Sequence, residues 1–261
     1  MEFSKIQELN QDSDRFAGSV IYSDSDHKFI WLGMEKHETE GMVHVNQYLI
    51  VHKGKGVLID AGGITVFPQI VSNLCKHINI SDLDILFYSH QDPDVSSGIA
   101  LWENVSQSKF YIGAYWAQFL PHFGLKDTSR IVSIPDEGSK VYLDDKDYIE
   151  FVPAHFLHSI SNYTLYDSRS KILFSGDIGA ALFPPGERYV AVENFQEHVK
   201  LMTVFHQRFM ASNKACKKWT DRLKGMDIEA IVPQHGAIFF RQDIPAFLDW
   251  FSKLQCGVDL F

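Results

Sequence analysis

Four short apolar runs in this sequence each lead into a histidine or an aspartate. The runs are LDILFYS, YIEFVPA, KILFSG and IEAIVPQ, and the polar residues that follow them are His90, His158, Asp177 and His235. Runs of four to eight apolar residues bounded by turn residues are typical of buried strands. Layered α/β proteins carry their chemistry on the loops at strand ends. The pattern therefore predicts an α/β protein with one functional site assembled from several strand exits.

The first strand exit carries the densest group of ligand-type side chains. In the segment HQDPD, His90, Asp92 and Asp94 occupy alternate positions. Alternate residues of a loop that leaves a strand can converge on one centre, and an imidazole with two carboxylates suits a divalent first-row metal. Acidic turns that contain histidine occur about as often without a bound metal as with one. The three later strand exits nevertheless favour a metal site as the interpretation. The candidate metal ligands are His90, Asp92, Asp94, His158, Asp177 and His235.

The remaining sequence alternates between strand-like and helix-like segments. Strands are predicted at 29–33, 45–51, 56–62, 83–89, 109–116, 130–135, 140–144, 148–154, 162–167, 171–177 and 228–236. Helices are predicted at 66–78, 97–105 and 244–255, and as a pair over 194–224 that breaks at MASN with Ser212 or Asn213 as the second cap. Low-complexity linkers and internal repeats are absent from the sequence, so we predict one folding unit over 1–261.

Composition and charge exclude several classes of partner. The chain is 45% hydrophobic and 22% charged, with a formal net charge of −9. This charge argues against nucleic acid and against an anionic membrane surface. No stretch approaches the roughly 18 uncharged residues of a membrane helix, and the polar N-terminal sequence has no apolar signal core. Cys75, Cys216 and Cys256 are odd in number, scattered and without C-x-x-C spacing. We therefore expect neither a disulfide framework nor a cysteine-zinc knuckle, and a reducing cytoplasm is the expected location.

The motifs at the strand exits resemble those of a known superfamily. HQDPD resembles the H-x-[EHD]-x-D motif of metallo-β-lactamase-fold proteins, and LHS, FSGD and PQHG resemble their later metal-binding motifs in the same order. The resemblance covers nearly the whole chain and implies a four-layer αββα metallo-β-lactamase-like sandwich. Zinc hydrolases of this superfamily usually read H-x-H-x-D-H. The carboxylate of Asp92 at the third position instead resembles the flavodiiron proteins, which reduce dioxygen or nitric oxide.

Longer segments resemble one branch of the flavodiiron group. HFLHSISNY, SGDIGAALF, FHQRFMASNKA and PQHGAIF look like the oxygen-binding di-iron proteins that lack a flavodoxin domain, which are associated as a group with oxygen sensing. A carboxylate-rich ligand set also favours iron or manganese over zinc. The resemblance therefore implies two iron ions, joined by an oxo or peroxo bridge.

The resemblance also distributes the six ligands between two irons. One iron takes His90, Asp92 and His158, and the second takes Asp94 and His235, with Asp177 bridging both. The flavodiiron motif continues with histidine where this chain has Val95. Water, dioxygen or a histidine from elsewhere could fill the open position at the second iron. His155 is the nearest candidate, although a supporting or core role suits it better.

Several neighbouring residues have both a functional and a packing interpretation. Asp60 is predicted to orient a metal-ligating histidine, as this fold often does at that position. His198 and His206 lie about two turns apart on one predicted helix face, where packing is favoured over approach to the metals. Tyr163 and Tyr189 could donate hydrogen bonds to a bound oxygen species but are more often core aromatics. The remaining polar-flanked histidines are predicted to be solvated, namely His27, His37, His52 and His77.

Three functions are compatible with these residues. The first is a di-iron dioxygen binder that acts in oxygen or redox sensing. The second is a dioxygen or nitric oxide reductase fed by a separate protein, and the third is a di-zinc hydrolase. The stretch after His235 is too short for a flavodoxin unit, so no flavin is expected in this chain. Dioxygen, a signalling or electron-transfer protein and a second copy of the chain are the expected partners.

Overall fold

The computed structural model describes residues 6–11, 15–34, 43–184 and 186–261. His37, which was predicted to be solvated, lies outside these residues. The described chain divides into two compact units. The first contains 15–34 and 43–136, and the second contains 137–184 and 186–261 together with the short helix α1 (Ile6–Gln11). A single folding unit over 1–261 stays a prediction.

The first unit contains a seven-stranded sheet in which strand order follows chain order. The first four strands pair antiparallel, and β4 to β7 pair parallel. The strands are β1 (Ser19–Ser23), β2 (His27–Trp31), β3 (Tyr48–His52), β4 (Lys55–Ile59), β5 (Leu83–Phe87), β6 (Lys109–Gly113) and β7 (Ile131–Ile134). The helices are α2 (Phe67–Leu74), α3 (Pro93–Ser96), α4 (Ile99–Val105) and α5 (Ala114–Ala117), with 3-10 turns at Ile80–Asp82, Leu120–Phe123 and Thr128–Arg130.

Helix α2 shows how sequence pattern becomes packing in this unit. Ile70 and Leu74 are buried in the unit's hydrophobic cluster, as their helical spacing predicts. Pro68 lies in the first turn, where its missing N–H costs nothing. The helix ends at Leu74, earlier than predicted, so Cys75 falls in a turn and is exposed.

The second unit contains a six-stranded sheet in the order β13-β12-β11-β10-β9-β8. Its strands are β8 (Ser139–Tyr142), β9 (Tyr148–Pro153), β10 (Tyr163–Asp167), β11 (Ile172–Gly176), β12 (Ala230–Pro233) and β13 (Phe239–Phe240). Strand β10 is antiparallel to both β9 and β11, and β11 is parallel to β12. Strands β9, β11 and β12 therefore run in one direction, and their carboxyl ends share one edge of the sheet.

Besides α1, the described part of the second unit contains three longer helices, and a 3-10 turn at Gly257–Leu260 follows them. They are α6 (Phe195–Phe209), α7 (Asn213–Arg222) and α8 (Ile244–Lys253). Asn194 caps α6 by accepting hydrogen bonds from two backbone N–H groups, and Ser212 caps α7 by accepting from that of Ala215. The predicted break and its Ser212 cap are confirmed. Within the described chain, no helix combines the length and the apolar character needed to span a membrane.

The prediction that His27 and His52 are solvated is wrong. Both are buried, and they are register partners on β2 and β3. Their Nδ1 atoms lie 3.0 Å apart, so one imidazole donates a hydrogen bond to the other. Antiparallel pairing brings the side chains of directly opposed residues together, which lets two polar rings satisfy each other inside the unit. His77 is half-buried.

Candidate metal centre

The first group of candidate ligands lies where β4 and β5 end. These strands are parallel, so their carboxyl ends occupy the same edge of the sheet. Asp60 directly follows β4, and Ser89 and His90 lie just beyond β5. The backbone N–H of Asp60 donates to the carbonyl of Phe87 at 2.9 Å, which holds the two exits together.

Asp60, Ser89 and His90 form a buried chain of hydrogen bonds. The Asp60 carboxylate accepts from the Ser89 backbone N–H at 2.7 Å and from the Ser89 hydroxyl at 2.6 Å. The hydroxyl proton is thereby used, so the Ser89 oxygen accepts from Nδ1–H of His90, at 2.9 Å. Nδ1 therefore carries the proton of the neutral ring, and the lone pair of Nε2 is left for a metal. Asp60 supports His90 as predicted, with Ser89 as an intermediary that sequence reasoning missed.

Asp92 and Asp94 follow on the turn that begins α3. Asp92 Oδ2 lies 3.6 Å from Nε2 of His90, a separation that suits two ligands of one ion, while Gln91 donates to Asp92 Oδ1 at 2.9 Å. Asp94 is half-buried in the first turn of α3. The hydroxyl of Ser96 donates to the backbone carbonyls of Gln91 and Asp92, both at 2.9 Å, and this contact holds the turn in shape.

Val95, where the flavodiiron pattern has histidine, is fully buried. It belongs to the hydrophobic cluster of the first unit, and its backbone N–H donates to the Asp92 carbonyl at 3.0 Å. The side chain thus anchors the ligand turn to the core of this unit. Apolar packing is a sufficient reason for valine at this position.

The second group of candidate ligands follows the three codirectional strands of the second unit. His158 lies beyond β9, Asp177 directly follows β11, and His235 lies beyond β12. Because these strands end at the same edge, the three side chains converge although 77 residues of sequence separate the first from the last. Within this unit the structure brings these three strand exits together.

Asp177 lies between the two histidines. Its Oδ2 is 2.8 Å from Nε2 of His158, and its Oδ1 is 3.7 Å from Nε2 of His235. The Asp177 side chain is only 4% exposed. Each carboxylate oxygen thus faces a different imidazole nitrogen, which is the arrangement that a carboxylate bridging two metal ions requires. A buried carboxylate needs a compensating charge, which metal ions at this position would supply.

His206 on α6 supports the loop after Asp177. Its Nδ1–H donates to the Met202 carbonyl at 2.8 Å, and its Nε2 accepts from the backbone N–H of Gly179 at 2.9 Å. Burial lowers its pKa to about 4, so the ring is neutral and can accept this bond. Sequence analysis placed His206 in the packing but missed its contact with the loop. The sequence signal for a role was only the helix face that His206 shares with His198.

The other predicted neighbours have packing roles. His155 is half-buried, with its ring edge-to-face on Tyr163 at a centroid distance of 5.2 Å. The Tyr189 hydroxyl and Nδ1 of His198 share a hydrogen bond of 2.6 Å, and burial raises the pKa of Tyr189 to about 12. Tyr163 itself is fully buried. The core interpretation of both tyrosines and of the His198/His206 face agrees with these contacts.

The strand-end motifs of this chain lie within a region that matches a known protein family. The family model described as "ODP family beta lactamase" matches residues 43–236, which include all six candidate ligands. The chain belongs to the ODP family. A solved structure described as the peroxy diiron species of the chemotaxis sensor ODP is 46% identical, with a TM-score of 0.85 over 93% of this chain and 98% of that one. The apo state of chemotaxis sensor ODP from T. denticola matches with a TM-score of 0.84, 46% identity and coverage of 94% and 98%.

More distant relatives lie among the flavodiiron proteins. The flavo-diiron protein FprA2 of Clostridium acetobutylicum is 24% identical over 84% of this chain and 56% of its own length. An uncharacterised protein of Methanocaldococcus jannaschii is 28% identical over 78% of this chain and 52% of its own length. This ODP-family chain thus spans about half the length of the curated relatives it matches.

Flavodiiron structures share the fold at lower identity. A flavo di-iron protein from Thermotoga maritima matches with a TM-score of 0.74 at 19% identity, over 90% of this chain and 60% of that one. The predicted metallo-β-lactamase-like α/β fold is therefore confirmed, as is the resemblance to the flavodiiron branch.

Proposed function

We propose that this ODP-family chain is a di-iron protein that binds dioxygen and acts in oxygen or redox sensing. The observation that carries the proposal is Asp177, whose two carboxylate oxygens face two different histidines at 2.8 and 3.7 Å. A buried carboxylate shared in this way suits a pair of metal ions better than one ion. The 46% identity to a chemotaxis sensor described in a peroxy diiron state supports iron and dioxygen in particular.

The proposed ligands combine the two groups of side chains. One iron is assigned to His90, Asp92 and His158, and the other to Asp94 and His235, with Asp177 shared. Three imidazoles and three carboxylates form a donor set that suits iron(II). The Nε2 lone pair of His90, left free by the Asp60–Ser89 chain, fits this assignment. Reduced iron bound here would supply the electrons for reversible binding of dioxygen.

The residues of the chain would tune this centre in two ways. Ser89 fixes the proton of His90 on Nδ1, so Nε2 faces the ion without a competing proton. His206 accepts a hydrogen bond from the Gly179 N–H and thereby sets the direction in which the loop after Asp177 leaves β11. Both contacts are buried, so water does not replace them.

A reductase that takes electrons from a separate protein is the second candidate. The match to FprA2, a flavo-diiron protein, over 84% of this chain favours it, because the same ligands would serve either function. Within the proposal, sensing ranks first because the 46% identical relative is described as a chemotaxis sensor. A signalling or electron-transfer protein partner, a homodimer and a cytoplasmic location complete the proposal.

Metal analysis with absorption spectroscopy tests the metal assignment. Protein produced with iron and purified without oxygen should contain about two irons per chain, and Asp177→Asn should lose most of this iron because both sites share the carboxylate. Exposure to air should produce a new absorption band in the parent and not in the variant. Full zinc occupancy with esterase activity under the same conditions would point to the hydrolase instead.

A turnover measurement separates sensing from reduction. The protein alone should consume oxygen slowly with NADH or reduced flavin, and no flavin should copurify. Rapid NADH-driven oxygen consumption without added protein would contradict the sensor proposal. Size-exclusion chromatography of the same preparation tests the homodimer.

A further inference from the structure

Two cysteines of the second unit lie in contact away from the candidate ligands. Cys216 on α7 and Cys256, which directly precedes the 3-10 turn Gly257–Leu260, have their Sγ atoms 3.7 Å apart. Both residues are fully buried. A disulfide requires an S–S distance of about 2.05 Å, so each sulfur needs to move by less than about 1 Å. Rotation of the two side chains can supply much of this movement.

The backbone around the pair is held from both sides. The Asn213 side-chain amide donates to the carbonyls of Ser252 and Leu254 at 2.9 and 2.8 Å, which ties the start of α7 to the end of α8. Oδ2 of Asp259 accepts from the backbone N–H groups of Asn213 at 2.5 Å and of Cys256 at 3.4 Å. The approach of the two thiols therefore follows from a defined packing of α7 against the last turn.

The two thiols differ in acidity. Their shared hydrogen bond lowers the pKa of Cys256, whereas that hydrogen bond and burial raise the pKa of Cys216. Thiolate is the nucleophilic form of cysteine. Cys256 also directly precedes the 3-10 turn Gly257–Leu260, whereas Cys216 lies within α7, so we assign the attack on an oxidant to Cys256 and the resolving step to Cys216.

Access to Cys256 requires only local opening. Val258 and Leu260 in the adjoining 3-10 turn are 72% and 49% exposed, so this short turn buries little apolar surface of its own. Segments with few buried contacts open at a small cost compared with global unfolding. Opening of this turn would bring a small oxidant to Cys256 while the strands and α6 stay folded.

We propose that Cys216 and Cys256 form a reversible dithiol–disulfide pair that reacts with hydroperoxides. The Cys256 thiolate attacks the O–O bond of hydrogen peroxide, which gives Cys256 sulfenic acid and releases hydroxide. Cys216 then attacks the sulfenic sulfur, the S–S bond forms, and the sulfenic OH leaves as water with the Cys216 proton. The hydroxide from the first step takes up the proton that Cys256 released on ionisation, which gives the second water. A dithiol reductant reverses the oxidation and is itself converted to a disulfide.

The pair is connected to the loop that carries His158. The N–H of Val258 donates to the Ala211 carbonyl at 3.0 Å, and the N–H of Ala211 donates to the Phe156 carbonyl at 3.1 Å. Phe156 lies two residues before His158. A disulfide at Cys256 would hold the 3-10 turn closed and would thereby slow the opening of these two hydrogen bonds.

The test uses the full chain with Cys75→Ser, since Cys75 is an exposed thiol that would obscure the count. After treatment with hydrogen peroxide and removal of excess oxidant, thiols are counted under denaturing conditions and the intact mass is measured. We expect both thiols to disappear, the mass to fall by two hydrogens, a peptide map to show the Cys216–Cys256 link, and dithiothreitol to restore both thiols. Amide hydrogen exchange of Ala211 and Val258 should become slower in the oxidised protein.

Two variants in the same background assign the roles. Cys216→Ser should leave a sulfenic acid on Cys256 that a 1,3-dicarbonyl reagent traps, whereas Cys256→Ser should react with peroxide at least about tenfold more slowly. If either serine variant fails to fold, alanine replaces serine. The peptide map of the parent shows by itself whether the Cys216–Cys256 disulfide forms. Survival of both thiols under peroxide that oxidises Cys75 in the unmodified chain would overturn the proposal. Sulfinic acid or intermolecular disulfides as the main products would overturn it as well.

Discussion

Nε2 of His206 accepts a hydrogen bond from the backbone N–H of Gly179 at 2.9 Å, two residues beyond the candidate ligand Asp177. The ring reaches this N–H because its other nitrogen donates to the Met202 carbonyl on the preceding turn of α6. A side chain on a helix thus fixes the backbone of the loop that carries a candidate ligand. Both bonds are buried, so water cannot replace either partner.

His206→Ala should therefore weaken both the fold and the metal site. Removal of a buried ring leaves a cavity and an unpaired Gly179 N–H, and we expect the free energy of unfolding to fall by about 3 kcal/mol. Urea denaturation measures this loss, and iron analysis should show less iron per chain. His122→Ala, at an exposed histidine, is the matched control and should change neither quantity. An unchanged iron content in His206→Ala would show that the loop holds its shape without this contact.

Ser89→Ala tests the hydrogen-bond chain behind His90. Without the hydroxyl, Asp60 loses one donor and Nδ1–H of His90 loses its acceptor, so the ring is no longer fixed in one tautomer. Loss of such a support typically costs 10–100-fold in metal affinity, and we expect a change on the order of that range. Competition with an iron(II) chelator measures the affinity.

Ser106→Ala is the control for the Ser89 variant. Ser106 is also a buried serine of the first unit, and its hydroxyl donates to the Trp102 carbonyl at 2.9 Å. Both variants should lose stability of about 1 kcal/mol or more, because each removes a buried hydrogen bond. Equal loss of iron in the two variants would mean that Ser89 acts only through stability.

The strand exits that carry the candidate ligands could be predicted from sequence because their signal is local. A polar residue after an apolar run marks a strand exit wherever the strand lies, and His90, Asp177 and His235 all follow this rule. The shared direction of β9, β11 and β12 then brings their exits to one edge of the sheet. The sequence indicated this convergence only through the order of its motifs.

The supporting contacts could not be predicted because they depend on register and long-range packing. His27 meets His52 only because β2 and β3 pair in one particular register. His206 meets Gly179 across 27 positions of sequence, and Cys216 meets Cys256 across 40. The sequences around these residues are ordinary helix and strand segments, so nothing local distinguishes them from other buried polar groups.

The free energy of unfolding should depend on pH because two histidines, His198 and His206, are buried. Burial lowers the pKa of His198 and of His206 to about 4 in the folded chain, whereas an unfolded histidine titrates near about 6.5. Between these values the unfolded state binds more protons, so the free energy of unfolding should fall as the pH falls from about 6.5 to about 4. Each histidine contributes about 3 kcal/mol to this loss.

The His198→Gln variant isolates one of these contributions in metal-free protein. Its free energy of unfolding should fall less steeply than that of the parent below about pH 6.5. His122→Gln, at an exposed position, should leave the pH profile of the parent unchanged. Parallel profiles for the parent and His198→Gln would mean that His198 does not need to stay neutral in the folded state.

Val95 occupies the position at which the flavodiiron pattern has histidine. Val95 is fully buried in the hydrophobic cluster of the first unit. Histidine is larger and polar, so Val95→His should overpack this cluster and lower the free energy of unfolding by about 1–3 kcal/mol. Because we expect the new ring to pack poorly and not to act as a ligand, the absorption band that air produces in the iron-loaded protein should keep its shape and lifetime. Val95→Leu adds volume without a ligand and should give a similar loss of stability. A Val95→His protein as stable as the parent but with a changed band would show instead that this position opens onto the second iron.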